Sequence, residues 1–181
     1  MPDRSARRDG MTDGALLDIV PNDPELRLRP AGPTDEPFLR NLFAEGRAAQ
    51  FTAAGVSGPI LDQVIAQQYR SQASGYAAQF PDAISLIVAE SGSAIGRLLL
   101  HCASQPWHII DIALLLADCG RGLGAEIIAA VVARARERGV SALTLSVLAS
   151  NVAARRFYLR EGFSETGKAG AAHIAMRKEL G

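Results

Sequence analysis

The sequence predicts an α/β (α+β) fold in which strands and helices are mixed along the chain and antiparallel hairpins lie towards both ends. Three observations predict this class. Two apolar runs, 84–89 and 95–101, are joined by the short polar turn 91–93, as in a hairpin. A second pair of short strand patterns closes the chain. Between the two pairs, an apolar run, a glycine-rich turn and a helical pattern follow one another at 107–138.

Before the first hairpin, the chain predicts one strand and two helices. Residues 26–29 alternate as a short strand does, and residues 30–33 interrupt it ahead of Thr34, a candidate helix N-cap. A second helix is predicted to open at 57–59, where proline stands in the first turn. Each helix carries four apolar residues on one face: Phe38, Leu39, Leu42 and Phe43 in the first, and Ile60, Leu61, Val64 and Ile65 in the second.

After the first hairpin, the continuous hydrophobicity of 107–117 predicts a strand that is buried on both faces. The helix that follows should end at Gly139, a typical C-cap residue. Residues 140–148 then form a strand, and Ser150 or Asn151 caps a helix that runs to residue 161. The final hairpin is predicted from 163–166 and 173–177, with the glycine-containing stretch 167–170 between them.

The length and composition exclude several classes of protein. The 181 residues suit one domain, expected over 23–181, behind a loose N-terminal arm over 1–22. The 19 basic and 19 acidic side chains cancel, which argues against nucleic acid as a partner. No apolar run approaches the roughly 18 residues of a membrane span. The two cysteines and three histidines show neither metal-site spacing nor a disulfide framework, so we expect no metal and a cytoplasmic location.

The glycine-rich turn, Asp118-Cys-Gly-Arg-Gly-Leu-Gly124, is a candidate phosphate site. A strand that leads through glycines into a helix presents free backbone N–H groups and the positive end of the helix dipole. The turn also fits the loose dinucleotide pattern, but no Asp or Glu lies between Glu137 and Glu161 to bind the ribose. A P-loop is excluded because no lysine followed by Ser or Thr completes one.

A second segment gives the turn its context. Asn151-Val-Ala-Ala-Arg-Arg-Phe-Tyr-Leu-Arg-Glu-Gly-Phe163 resembles the N-x-x-A-x-x-x-Y-x-x-x-G-F segment of the GCN5-related N-acetyltransferases (GNAT family), and the turn resembles their pyrophosphate loop, Q/R-x-x-G-x-G/A. The order of elements extends the resemblance over roughly 25–178, while the motifs lie within 109–163. The resemblance implies a central mixed, mostly antiparallel sheet of six to seven strands flanked by about four helices.

The same resemblance implies acetyl-CoA as the acyl donor. The pantetheine arm would pair with the strand before the turn, at Ile112, Ala113 and Leu114, and Asn151 would also meet it. The diphosphate would lie on the backbone of the turn, at Cys119, Gly120, Arg121, Gly122, Leu123 and Gly124. The chain departs from the family at Cys119, where Arg or Gln is usual, and Arg121 is expected to add positive charge.

The resemblance also assigns Tyr158 as the general acid that protonates the leaving thiolate, because a phenol stays protonated at neutral pH. The attacking amine needs a base. Many relatives place a glutamate where this chain has Ser146, so Asp111, which lies within an apolar run, is the candidate. A purely structural role for this aspartate is equally open, and His101 and His108 are further candidates.

The acceptor is expected to be the primary amine of a small molecule or peptide, with backbone N–H groups near Leu114 and Leu115 stabilising the oxyanion. An alternative is a catalytically inactive acyl-CoA-binding or sensor domain; an NAD-dependent oxidoreductase is a third hypothesis. An exposed strand edge in the last hairpin would suit a homodimer. The polar and aromatic candidates for the acceptor pocket lie on the first two helices: Arg47, Gln50, Phe51, Gln68, Tyr69 and Arg70.

Overall fold

The structure is a computed structural model that describes residues 18–53, 55 and 58–181, with the side chains of 48–52 left out. Most of the predicted N-terminal arm, residues 1–17, lies outside the described residues. Within the remainder of that arm, Ile19 is 3% exposed and packs into the hydrophobic core. No helix of the described part is long and apolar enough to cross a membrane.

A seven-stranded sheet organises the fold in the order β1-β2-β3-β4-β5-β7-β6. Neighbouring strands are antiparallel except for β4 and β5, which are parallel. This confirms the predicted mixed, mostly antiparallel sheet. The strands are β1 (Leu26–Pro30), β2 (Ala83–Glu90), β3 (Ser93–His101), β4 (Trp107–Leu114), β5 (Ala142–Leu148), β6 (Ser164–Ala169) and β7 (His173–Glu179).

Four helices of the described residues flank the sheet: α1 (Glu36–Ala53), α2 (Gly58–Gln79), α3 (Leu123–Glu137) and α4 (Val152–Arg160). The main core lies between the sheet and the apolar stripe of α3, where Ile127 and Val131 are fully buried. Helices α1 and α2 pack against each other, and α1 contacts β3 and β4. Ile60, predicted on the apolar face of α2, is 66% exposed.

The start of α1 differs from the prediction. Residues Pro33–Asp35 form one 3₁₀ turn and the helix begins at Glu36, so Thr34 is not its N-cap. Asp35 satisfies this turn instead, because its carboxylate accepts a hydrogen bond from the Gly32 N–H at 2.8 Å. It also accepts from the Arg29 guanidinium at 2.8 and 2.7 Å. The prolines at 30 and 33 therefore predicted the end of β1 correctly. The capping bond comes from the carboxylate of Asp35, one position after the predicted cap Thr34.

The strand predicted over 107–117 ends earlier, at Leu114, and a 3₁₀ turn follows over Leu116–Asp118. Strand β4 pairs with β5 only through Trp107–Ile109, and the two strands separate beyond that point. The remaining residues of β4 are therefore half-buried, whereas the sequence predicted burial on both faces. A register shift opposite Leu99 and Leu100 interrupts the pairing of β4 with β3 just before Asp111.

The other turn predictions are confirmed with small changes of boundary. Ser91 and Gly92 both have positive φ, 48° and 85°, as a type I′ hairpin turn requires. Asn151, not Ser150, caps α4, and its side chain accepts from the Ala154 N–H at 3.1 Å. The last hairpin is longer than predicted, because Gly167 continues β6 across a register shift.

Candidate functional site

The candidate site forms where β4 and β5 separate. The Leu115 N–H donates to the Ile95 carbonyl at 2.9 Å, so this amide is already engaged and the prediction that it stabilises an oxyanion is wrong. Successive N–H groups of a strand point alternately to its two neighbours. Since the Leu115 N–H points towards β3, the N–H groups of Ile112 and Leu114 point to the opposite side, into the gap that opens where β5 separates. Beyond Ile109 no strand of the described chain pairs with this edge.

The glycine-rich turn begins directly after the open edge of β4. Gly120 and Gly122 have φ of 78° and 87°, a left-handed conformation that side chains other than glycine rarely adopt. Their turn leads into α3, and within the described residues no group accepts a hydrogen bond from the backbone N–H groups of 120–124. Such a row of free donors at a helix N-terminus fits a phosphate group.

Two side chains of the turn are engaged within the protein. The Arg121 guanidinium pairs with both carboxylate oxygens of Glu90 at 2.9 Å and with Asp118 at 2.6 Å. Two carboxylates therefore offset the positive charge of Arg121. Its bonds to Glu90 hold the turn against the β2–β3 hairpin. The Cys119 thiol donates to the Leu115 carbonyl at 3.4 Å. The donors that the turn leaves for a ligand are thus backbone N–H groups.

A groove of about 610 Å³ connects these features, which is within the range of small-molecule and cofactor sites. Its lining contains seven residues that the sequence singled out: Ile112, Leu114, Cys119, Gly120, Gly122, Gly124 and Tyr158. The sequence reasoning missed the rest of the α4 side, which consists of Ala153, Ala154, Phe157, Arg160 and Glu161. The small residues of the motif that contains Tyr158 were the available signal, because they leave space between α4 and the turn.

Five predicted site residues lie outside the groove lining: Arg121, Asp111, Leu123, Ala113 and Asn151. Leu123 is 5% exposed and belongs to the hydrophobic core. Ala113 lines a small pocket with α1 and α2. The carbonyl oxygen of the Asn151 side chain is used by the N-cap bond, which leaves its amide nitrogen free to donate.

Tyr158 lies in α4 at the end of the groove. Its ring packs against Phe157 and Phe163, with centroid separations of 5.1 and 5.7 Å. Burial raises the pKa of its hydroxyl to about 12, and the negative charge of Asp111 adds to the shift. The phenol is therefore fully protonated at neutral pH, as a general acid must be.

Asp111 lies on the face of β4 opposite the groove, where its carboxylate Oδ2 pairs with the Arg97 guanidinium. The aspartate side chain is 29% exposed and the arginine side chain 14%. Both line a pocket of about 120 Å³, together with Arg47, Gln72 and Ala113. Sequence reasoning missed Arg97 and Gln72, whose only signal was a charged or polar residue within an otherwise regular strand or helix.

His108 lies on the same face of β4, and its position is fixed by hydrogen bonds. The Thr144 hydroxyl donates to the Trp107 carbonyl at 3.2 Å, so its oxygen accepts from His108 Nδ1–H at 2.9 Å. The other ring nitrogen, Nε2, is then left with its lone pair. The ring stacks on Phe80 at 5.3 Å, and burial lowers the pKa of His108, with a smaller contribution from His101.

His108 and Ser146 line a second pocket, of about 470 Å³, between α2, β4, β5 and the last hairpin. Tyr76 lines it as well and accepts a hydrogen bond from Gln72, so this pocket adjoins the one at Asp111. The two pockets together border the face of β4 opposite the groove, from residue 108 to residue 113.

The other acceptor candidates on α1 and α2 have different surroundings. Tyr69 is buried, donates to Glu36 at 3.0 Å and packs against Phe43, which is a structural role. Gln68 and Arg70 are exposed on α2. The side chains of Gln50 and Phe51 lie outside the description. Within the described residues, no group of three or more His, Cys, Asp or Glu side chains could hold a metal ion.

Comparisons with known proteins agree with this geometry. A family model described as "Acetyltransferase (GNAT) family" matches residues 59–163. Among curated proteins, none matches the chain significantly. The fold is similar to that of the PaiA N-acetyltransferase from Thermoplasma acidophilum in complex with coenzyme A, with a TM-score of 0.66 and 16% identity over 85% of this chain and 98% of that one.

Two other solved structures have the same fold. The ribosomal-protein-S18-alanine N-acetyltransferase from Escherichia coli has a TM-score of 0.60 and 18% identity, covering 86% of this chain and 94% of that one. A GNAT family acetyltransferase from Elizabethkingia anophelis with acetyl-CoA bound has a TM-score of 0.56 and 14% identity, covering 86% and 99%. At these identities the likeness concerns the fold.

Proposed function

This chain belongs to the GNAT acetyltransferase family, and we propose that it transfers acetyl from acetyl-CoA to the primary amine of a small molecule or peptide. One observation carries the proposal: a single groove joins the open edge of β4, the free N–H groups of the glycine-rich turn and the protonated hydroxyl of Tyr158. Two of the solved structures with this fold contain coenzyme A or acetyl-CoA.

The groove offers a place for each part of the donor. The N–H groups of 120–124 would hold the diphosphate, as free donors at a helix N-terminus do. The open edge at Ile112 and Leu114 would pair with the amide groups of the pantetheine arm, and the free amide nitrogen of Asn151 would donate to the same arm. Acetyl-CoA supplies the acetyl thioester.

The side chains around the gap can then move the protons. The amine nitrogen bonds to the thioester carbonyl carbon, and the bond from that carbon to sulfur breaks. The Ile112 N–H, which lies farther from the glycine-rich turn than Leu114 does, donates to the oxygen on which negative charge develops, while the Leu114 N–H and the carbonyl groups of the edge pair with the arm. Tyr158 gives its proton to the leaving sulfur, and Asp111 accepts the proton released by the amine through Oδ1, which has no partner among the described residues. The tyrosine regains its proton from solvent.

A second proton acceptor is supported by its own observation. The bonds through Thr144 fix His108 in the tautomer whose Nε2 carries a lone pair, and its lowered pKa keeps it neutral at neutral pH. His108 could take the amine proton through a water molecule in the pocket that it shares with Ser146. Substitution of each residue in turn distinguishes the two.

The alternative function is binding of an acyl-CoA without turnover. Two observations favour it. Ser146, exposed on β5, offers a hydroxyl where a carboxylate base was expected, and Arg121 is occupied by Glu90 and Asp118. Binding of acetyl-CoA that never leads to release of free CoA with any amine would support this reading.

The decisive experiment is titration calorimetry with acetyl-CoA, with NAD as the comparison ligand, followed by an assay of CoA release over a panel of primary amines. We expect saturable binding of acetyl-CoA alone. Gly122→Ala should weaken it, because a side chain is strained at a φ of 87°. Gly75→Ala is the matched control, since its added carbon meets nothing within 4 Å in α2. A wild-type protein that does not bind acetyl-CoA would overturn the proposal.

Two further features bear on the location of the protein and on its assembly. Cys119 is an exposed free thiol, which fits a reducing cytoplasm. The free edge of β6, whose residues are largely exposed, is where a homodimer would form. Sedimentation or light scattering on the purified chain measures this directly.

A further inference from the structure

We propose that the acceptor amine carries a carboxylate group, as an α-amino acid does, and that Arg47 and Arg97 bind this carboxylate in the pocket between α1, α2 and β4. The inference rests on the proposed function, because it names the class of acceptor for the same site.

The position and size of the pocket suit the acceptor of this reaction. Its floor is formed by Asp111 and Ala113 of β4, on either side of Ile112, which lines the donor groove on the opposite face. The pocket measures about 120 Å³, enough for the amine, α-carbon and carboxylate of an amino acid, whose side chain can extend towards the adjoining pocket at Tyr76. Its remaining walls are apolar and include Leu42 and Phe43. A small molecule fits this space, and a long chain does not.

The charges around the pocket do not cancel. Arg97 pairs with Asp111 through Nη2, while its Nε is buried without any hydrogen-bond partner. The Arg47 guanidinium lies 5.2 Å from the centre of the Phe43 ring and has no carboxylate partner among the described residues. Two guanidinium groups thus face one carboxylate. An anionic ligand would supply the missing charge, and a carboxylate matches the forked donors of arginine.

The opposite end of the ligand finds acceptors. Asp111 Oδ1 has no partner within the described residues. Gln72 donates from Nε2 to the Tyr76 hydroxyl at 3.3 Å, which leaves its carbonyl oxygen free to accept. The ammonium group of the ligand can donate to Asp111 Oδ1 and to the Gln72 carbonyl oxygen before it loses a proton. The pocket therefore presents oxygens for the amine and guanidinium groups for the carboxylate, which is the charge pattern of an amino acid.

The test measures binding to the CoA-saturated protein, so that it does not depend on turnover. The probes are the N-acetyl derivatives of glycine, alanine, leucine and phenylalanine, each as the free acid and as the amide. We expect the acid to bind at least roughly 10-fold more tightly than its amide for one or more of these pairs, as a charge-assisted contact to arginine provides.

Variants then locate the contact. Arg47→Gln should reduce the preference for the acid to below about 3-fold while CoA binding is unchanged, and Arg97→Lys should reduce it partly, because lysine keeps the charge without the fork. Arg40→Gln is the matched control, since Arg40 lies on the same helix but pairs with Glu36 outside the pocket. It should leave the preference unchanged.

Two results would overturn the inference while acetyl transfer stands. In the first, a protein that binds CoA shows equal affinity for acid and amide in all four pairs, or binds none of the acids. In the second, Arg47→Gln and Arg40→Gln change the preference equally. If the wild-type protein does not bind CoA, the failure is a different one, because the proposed function is then overturned together with this acceptor class.

Discussion

The hydroxyl of Tyr158 is kept protonated by its surroundings, since burial and the charge of Asp111 raise its pKa to about 12. Tyr158→Phe keeps the ring contacts with Phe157 and Phe163 and removes only the proton donor. We expect kcat to fall roughly 10²- to 10⁴-fold while the affinity for acetyl-CoA changes little. Steady-state kinetics and calorimetry measure the two quantities separately.

The same pKa gives an expectation for the wild-type protein. A general acid fails when it loses its proton, so turnover should show no alkaline decline from Tyr158 up to pH 10, the ordinary pKa of tyrosine. If Tyr158→Phe turns over as fast as the wild-type protein, another group protonates the thiolate.

The proton acceptor can be identified by two substitutions. If Asp111 takes the proton, Asp111→Asn should lower kcat about 100-fold or more, while His108→Gln has only a small effect. If His108 takes it, the effects reverse. The wild-type activity would then decline as the pH falls through a value below 6.5, because the base must be neutral and its pKa is lowered. Thr144→Val, which removes the bond that fixes the ring, should then also lower kcat.

At the scale of residues, the sequence predicted the groove better than the pocket opposite it. The groove is lined by residues of two motifs with fixed spacing, among them Gly120, Gly122 and Tyr158. Local backbone geometry restricts the residue type at some of these positions, as the left-handed conformation of the two glycines does. Arg97 and Asp111 lie 14 residues apart on two strands and meet only through the register of β3 with β4. No pattern within one element announces such a pair.

At the scale of elements, the close approach of β3 to β4 is set by Gly96. A side-chain carbon added there would lie 2.4 Å from the Ala113 carbonyl oxygen and 2.6 Å from a Leu114 methyl group. Gly96→Ala must therefore move β4 at the residues that border the donor groove. We expect a loss of roughly 1–3 kcal/mol in the free energy of unfolding, together with weaker binding of acetyl-CoA.

Gly75→Ala again serves as the control, because alanine favours a helix and its carbon enters open space. Denaturant unfolding and calorimetry measure the two effects on each variant. If the Gly96→Ala variant unfolded and bound acetyl-CoA like the wild-type protein, β3 and β4 would be able to move apart without loss of stability.

The error in the predicted length of β4 has a physical origin. The apolar run 107–117 does not reveal where β4 loses its partner, because half-buried and fully buried strands can have the same hydrophobic composition. The turn at Ser91 and Gly92 was predictable, since its two positive φ angles restrict the residue types that can occupy it. Turn chemistry is written locally in the sequence, whereas strand separation depends on a distant segment.

At the scale of the whole molecule, the mixed sheet could be predicted because two motifs in one order indicated a known arrangement of elements. Periodicity alone does not give the order in which strands pair. The final hairpin, for example, inserts β7 between β5 and β6, so the last strand of the sequence is not the edge of the sheet. The edge belongs to β6, whose exposed residues carry little hydrophobic pattern.

The stability of the whole fold should depend on pH through Asp35, which ties the end of β1 to the start of α1. The Arg29 guanidinium and then the Gly32 N–H lower its pKa from 3.8 to about 2. A carboxylate with a lowered pKa in the folded state stabilises the fold above its unfolded pKa, and this stabilisation is lost as the pH falls towards 2. Asp35→Asn should therefore reduce the free energy of unfolding at pH 7, and its difference from the wild type should shrink below about pH 4.

Urea unfolding at several pH values measures this difference. Glu36→Gln is the control, because the amide oxygen can still accept from the Tyr69 hydroxyl and the lost pair with Arg40 is half exposed on both sides, so it should contribute little at any pH. If Asp35→Asn differed from the wild type by the same amount at pH 7 and at pH 2, the loss would come from packing or geometry. In that case the charge of the Arg29–Asp35 pair would not be what joins the first strand to α1, which lines the pocket at Arg47 and Asp111.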